Sequence, residues 1–162
     1  MLPELTRMEW IRVKVVREKG PKVLERPLDS PAVAAGFIRS LQRKAAHLDR
    51  EHFWRVDLDS RHKALSVETV SVGTATSSLV HPREVFKGAL LMGAVGIIVA
   101  HNHPSGETEP STEDLRTTER LVKAGELLGV SVLDHLILGL RNRVLSLRSV
   151  KPDMFKAYAT PY

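Results

Sequence analysis

Cysteine is absent from the 162 residues. That excludes disulfides and every thiolate metal site, so a metal bound here takes nitrogen and oxygen ligands. The absence also fits a cytoplasmic protein. No apolar stretch is long enough to cross a bilayer: the run over residues 88–100 is too short, and His101 ends it. A membrane partner is therefore not expected. The opening Met1-Leu2-Pro3-Glu4 lacks a basic segment followed by an apolar block, so it does not read as a secretory signal. There is no internal repeat, no low-complexity tract and no long Lys/Arg block. Lys and Arg number 24 against 19 for Asp and Glu, a formal net charge of +5. Scattered as it is, this excess reads as a solvated surface rather than a nucleic-acid footprint, although it favours acidic partners.

What is present suits one globular domain with one core. Apolar residues make up 43% and charged residues 27%, the balance of a folded domain and not of a disordered chain. Ile11, Val13 and Val15 alternate with Arg12 and Lys14, which predicts a half-buried strand over residues 10–18, ended by Gly20-Pro21. Residues 1–28 then form an N-terminal strand extension, 29–150 the main domain, and 151–162 a tail without clear period that docks loosely or stays mobile. Asp29-Ser30-Pro31 is a helix start, and Ala34, Phe37, Ile38, Leu41, Ala45 and Leu48 follow at helical spacing. Residues 53–59 and 64–72 read as a hairpin about Ser60-Arg61-His62, and residues 73–80 as a small-residue loop. Pro82 opens a second helix carrying Val85, Phe86, Ala89 and Leu90. Residues 95–100 are uniformly apolar, as in a strand covered on both faces. Leu115, Thr118, Leu121, Val122 and Gly125 mark a third helix, ended by Gly129. Residues 130–138 and 143–147 are closing strands around Gly139. The sum is a mixed α/β fold, helices packed on a sheet with residues 95–100 at its middle.

The segment that carries chemistry is His101-Asn102-His103-Pro104-Ser105-Gly106, followed by Ser111-Thr112-Glu113-Asp114. Side chains two apart on a strand share a face, so His101 and His103 aim two imidazoles at one point. Ser111 has the character of an N-cap and Asp114 falls at the third helical position, which brings both to the helix N-terminus. The loop over residues 104–110 is short enough to fold that carboxylate back to the histidines. Two imidazoles and one carboxylate leave one zinc position open, the arrangement of a catalytic rather than a structural site. Taken singly, each part has an ordinary explanation. Ser-x-x-Asp is a common cap, and His-x-His is two exposed or hydrogen-bonded side chains. The combination at this spacing is what is specific.

That combination, His-x-His, seven residues beginning with Pro104, then Ser-x-x-Asp, resembles the JAMM metalloprotease motif. The fuller text, with Val80-His81-Pro82-Arg83-Glu84-Val85-Phe86 and Leu133-Asp134-His135-Leu136-Ile137, is similar to the RadC-like branch. The resemblance covers about residues 30–150. It implies the MPN fold, cytidine-deaminase-like, with a mixed sheet flanked by helices. It implies a Zn2+ ion on His101, His103 and Asp114, and hydrolysis of a peptide or isopeptide bond in a peptide or protein substrate, a ubiquitin-like protein among the candidates. Ser111 would stabilise the oxyanion. The family's glutamate on an earlier strand matches Glu51, with Glu68 and Glu84 as rival carboxylates; a strand start presents a fixed general base, whereas Glu84 is expected to face solvent. Many relatives carry an N-terminal helical module that these residues do not resemble, which weakens any inference of DNA binding. Residues 139–143 also lack the acidic or glycine-rich turn expected there.

Two other functions compete: a metal-dependent nuclease or DNA-repair factor, favoured by positive charge, and a non-catalytic MPN binding module. The first usually needs more carboxylates or two metals. The second is opposed by the complete ligand set. His135 is either a partner of the metal ligands or a structural strand histidine. Asn102 is expected to shape its own turn, and His47, His52, His62 and His81 to be surface or structural. Oligomeric state is not legible.

Overall fold

A computed structural model describes residues 11–19, 27–42, 49–73 and 80–156. Its elements are α1 (Pro31–Gln42), β1 (Glu51–Leu58), β2 (Ala64–Gly73), α2 (Pro82–Leu91), β3 (Gly96–Asn102), α3 (Thr112–Leu128), β4 (Ser131–Leu138), β5 (Val144–Ser146) and the short helical turn α4 (Leu147–Val150). The five strands form one mixed sheet in the order β2-β1-β3-β4-β5. Among the described residues only the β3–β4 pair is parallel. A parallel pair needs a crossover, and α3 supplies it. This is the expected mixed α/β architecture, a central sheet flanked by helices as in MPN domains.

The sheet divides the core in two. On one face Ala34, Ala35 and Ile38 of α1 pack on Trp54, Val56, Leu58, Ile98, Ala100, Leu136 and Leu138. On the other, Val85, Phe86 and Ala89 of α2 and Leu121 of α3 pack on Phe53, Ile97, Val99 and Val132. Covered on both sides, β3 is buried along its whole length, which is why its sequence is an apolar run and not an alternation. The same face holds Arg55 and Asp57, two apart on β1 and almost wholly buried. Arg55 Nε lies 2.7 Å from Asp57 Oδ1, and its Nη1 donates to the Val85 carbonyl of α2 at 2.7 Å. The buried charge is thus paired with a carboxylate and ties β1 to α2.

Three expectations need correction. Residues 11–19 form no strand and are exposed, with Ile11 84% and Val13 63% accessible. The alternation is present, but in the described sheet β2 pairs with β1 alone, so no neighbour buries one face of the segment. Trp10, Ala45, His47, Leu48 and most of the small-residue loop lie outside the described residues. The chain after residue 150 is not loose as far as it is described. Pro152–Phe155 forms a 3-10 turn, and Phe155 packs against the α2/α3 core. Finally, the β4–β5 turn needs no glycine at its tip. Arg141 and Asn142 take φ of 52° and 65°, the pair of positive values of a type I′ turn, closed by Arg143 N–H donating to the Leu140 carbonyl.

Candidate metal centre

The site forms where β3 ends and α3 begins. His101 is the sixth residue of β3, and His103 follows the strand while its N–H still donates to the Leu138 carbonyl of β4 at 3.1 Å. The chain then turns at Gly106, whose φ of 82° suits glycine. The Gly106 carbonyl accepts from Leu140 N–H and from Arg143 Nη2, and Arg143 also pairs with Glu107 at 3.0 Å. The loop between the ligand candidates is therefore fastened to the β4–β5 turn. It delivers Ser111 as the N-cap of α3 with a complete capping box: Asp114 N–H donates to Ser111 Oγ, and Ser111 N–H donates to Asp114 Oδ2. A carboxylate in the first turn also suits the positive end of the helix.

His101, His103 and Asp114 converge, each offering one ligand atom, all within 4.8 Å of one another. His101 Nε2 is 3.1 Å from Asp114 Oδ1, His103 Nε2 is 3.3 Å from Asp114 Oδ2, and the two Nε2 atoms are 2.9 Å apart. Ligands about 2.0–2.1 Å from a tetrahedral zinc lie roughly 3.3 Å from one another, so the cluster is near the size a zinc ion requires. The donor chemistry agrees. His103 Nδ1 lies 3.1 Å from the Glu107 carbonyl, which only accepts, so Nδ1 holds the hydrogen and Nε2 presents a lone pair to the cluster. Lone pairs and carboxylate oxygens that face one another need a cation between them or protons shared among them. Two nitrogens and an oxygen suit zinc.

The electrostatics show the same pressure. Burial works against ionising Asp114, but hydrogen bonds from His101 and His103 outweigh it and hold the carboxyl far below the usual range. The bond to Asp114 raises His103 above the ordinary histidine value, against burial, and the charge of Glu51 adds to the rise. Burial pushes His135 well down.

Glu51 opens β1. Phe53 pairs with His101, and that antiparallel register, carried on by two residues, sets Glu51 across from His103. Its rivals are engaged elsewhere: Glu68 pairs with Arg55 at 2.7 Å, and Glu84 pairs with Lys87 at 2.8 Å on the exposed side of α2. Ser111 Oγ is 2.7 Å from Asp114 Oδ2, at the mouth of the cluster. Of the remaining histidines, His52 stacks on Trp54, His62 occupies the β1–β2 turn, and His81 caps α2.

The role expected of Asn102 is corrected. Its side chain does not shape its own turn. Buried at the end of β3, it accepts from His52 N–H at 2.8 Å and donates to the Arg50 carbonyl at 2.9 Å. It thereby grips the backbone on both sides of Glu51. An amide between the two histidines of the cluster, offering one donor and one acceptor, was the available signal, but the sequence does not say what it reaches.

Fold and cluster together define a mixed α/β domain with a candidate single-metal centre at the end of its middle strand. The family model described as RadC-like JAB domain matches residues 29–152. The chain belongs to that family. Similar proteins include a UPF0758 protein of Desulforudis audaxviator, 48% identical over 119 residues, covering 74% of this chain and 50% of the relative. One from Rubrobacter xylanophilus is 46% identical over 79% of this chain and 53% of its own length. One from Desulforamulus reducens is 41% identical over 86% and 62%. The chain thus spans roughly half to three-fifths of the length of these relatives.

Proposed function

We infer that this domain is a zinc-dependent hydrolase of the JAMM type, acting on a peptide or isopeptide bond. The observation that carries the reading is the convergence of His101, His103 and Asp114 at zinc-like spacing. These three residues would hold the ion. Zinc supplies activation of water and polarisation of the scissile carbonyl. Glu51, held by the Asn102 bridge, accepts the proton of the attacking water and returns it to the leaving nitrogen. The Ser111 hydroxyl has a single hydrogen, and it points at Asp114 Oδ2; rotation about its Cβ–Oγ bond turns that hydrogen to the oxyanion. A ubiquitin-like substrate is within this reading, and family likeness is its only support.

Metal analysis of purified protein tests the reading. The wild type should carry one zinc per chain, and His101→Ala and Asp114→Ala should carry none. Zinc retained in full by both variants would overturn the ligand assignment. Glu51→Gln should keep zinc and lose hydrolysis of a peptide panel; normal turnover would remove Glu51 as the base. DNA supplied to the same zinc-loaded protein should stay intact. Cleavage that disappears in Asp114→Ala would establish a nuclease instead.

A further inference from the structure

Behind the cluster stands a histidine that the hydrolytic reading does not use. His135 on β4 is 1% exposed, and Thr118 on α3 is fully buried. Thr118 Oγ1 lies 2.7 Å from the backbone oxygen of Asp114 and 2.6 Å from His135 Nδ1. His135 Nε2 lies 2.8 Å from His101 Nδ1. Phe53 meets the His135 ring edge-on, and no carboxylate hydrogen-bonds to it among the described residues.

The directions of these bonds are fixed by one atom. A carbonyl oxygen only accepts, so the single hydroxyl hydrogen of Thr118 goes to Asp114. The hydroxyl oxygen must then receive a hydrogen from His135 Nδ1. A neutral imidazole has only one N–H, so His135 Nε2 is left as an acceptor. His101 Nδ1 must donate to it, and the lone pair of His101 is confined to Nε2. That is the atom facing His103 and Asp114. The chain of bonds begins at the main-chain oxygen of Asp114 and ends at His101, whose Nε2 lone pair faces the carboxylate of that same residue.

The two rings meet because of a bulge. Ile97 pairs with Val132 and Ile98 with Asp134, so Leu133 is an extra residue in β4. Val132 and His135 are three apart and would lie on opposite faces of a regular strand. The extra residue puts both on the α2/α3 face.

We propose that Thr118 and His135 are positioning residues: a hydroxyl–imidazole relay that selects the His101 tautomer and aims its Nε2 at the metal. The proposal rests on the zinc reading above. A metal-bound histidine commonly donates its other N–H to a carboxylate or carbonyl. Here a neutral imidazole accepts it, which orients the ligand ring without adding negative charge beside the ion.

The test is zinc affinity, measured by competition against a chromophoric chelator, with thermal melts as the check on folding. Thr118→Val keeps the volume and removes the hydroxyl, and should weaken zinc binding about 10- to 100-fold. Thr118→Ser restores the hydroxyl and should remain close to wild type. His135→Leu should weaken binding similarly, whereas His135→Gln, with an amide oxygen as acceptor, should recover part of the loss. Nitrogen-15 ring spectra of zinc-loaded wild type should show the hydrogen of both His135 and His101 on Nδ1. Thr118→Val binding zinc as tightly as wild type, or His135 carrying its hydrogen on Nε2, overturns the relay and leaves the metal site standing. Should Thr118→Val fail to fold, the wild-type ring spectra still decide. Wild-type protein that takes up no zinc overturns both readings together.

Discussion

At the scale of single residues, the site depends on how each polar group spends its hydrogens. Asn102 is the sharpest case, since its amide uses both functions on the strand next door. Asn102→Ala should leave zinc stoichiometry intact, because no ligand is touched, while turnover falls at least tenfold as Glu51 loses its fixed position. Zinc content and kcat measured on the same preparation check this; an Ala variant with unchanged kcat would mean that Glu51 is held by other contacts. Ser111 has two duties to separate. As a cap, its loss to Ala should cost about 1 kcal/mol of stability. As an oxyanion donor, its loss should lower kcat about 10²–10³-fold. Ser111→Gly is tolerated at an N-cap but lacks a hydroxyl, so it should recover most of the melting temperature without recovering kcat. Recovery of both would confine Ser111 to capping.

At the scale of elements, the buried pair on β1 carries the firmest stability prediction. Asp57→Ala strands the Arg55 charge in the α2 face of the core and should destabilise the fold by about 3–5 kcal/mol, read from denaturant unfolding. A change under 1 kcal/mol would mean that Glu68 alone satisfies the guanidinium. This pair marks a limit of the sequence. Residues 53–59 are legible as a strand, but nothing in them shows that Arg55 points inward, because its carbonyl partner Val85 lies thirty residues on. Asn102 and its partners, about fifty residues apart, were hidden for the same reason. The candidate metal cluster was legible because His101, His103 and Asp114, with Ser111 as the cap, are close in sequence, and a strand end, a short loop and a cap are local structures. Residues 10–18 misled in the opposite direction: alternation states which side chains could share a face, but not whether a neighbouring strand exists to bury it.

At the scale of the whole molecule, the cluster couples folding to pH. Asp114 has its folded value lowered, so its contribution is present above about pH 4 and is lost as pH falls further. His103 has its folded value raised, so its contribution is complete below about pH 6.5 and is lost as pH rises through the raised value. Without metal, this cluster therefore favours the fold most between about pH 4 and 6.5. Zinc would reverse the trend, since it would bind only the deprotonated imidazoles and would have to displace the proton of His103 at low pH. The rise in Tm on adding saturating zinc should be larger at pH 8 than at pH 6. An equal rise at both values would show that no proton leaves the site on binding.

The extra residue in β4 has a consequence for how this chain tolerates change. Everything from Asp134 to Leu138 owes its inside-or-outside assignment to Leu133 standing out of register, not to the identity of that residue. Replacing Leu133 alters one contact. Were Leu133 paired in a regular strand, the side chains after it would change faces, sending His135 to the α1 side and an acidic neighbour towards the cluster; deleting it leaves Val132 and His135 two apart, on one face without any bulge. A single residue standing out of step, whatever its kind, decides here whether an imidazole stands behind His101 at all.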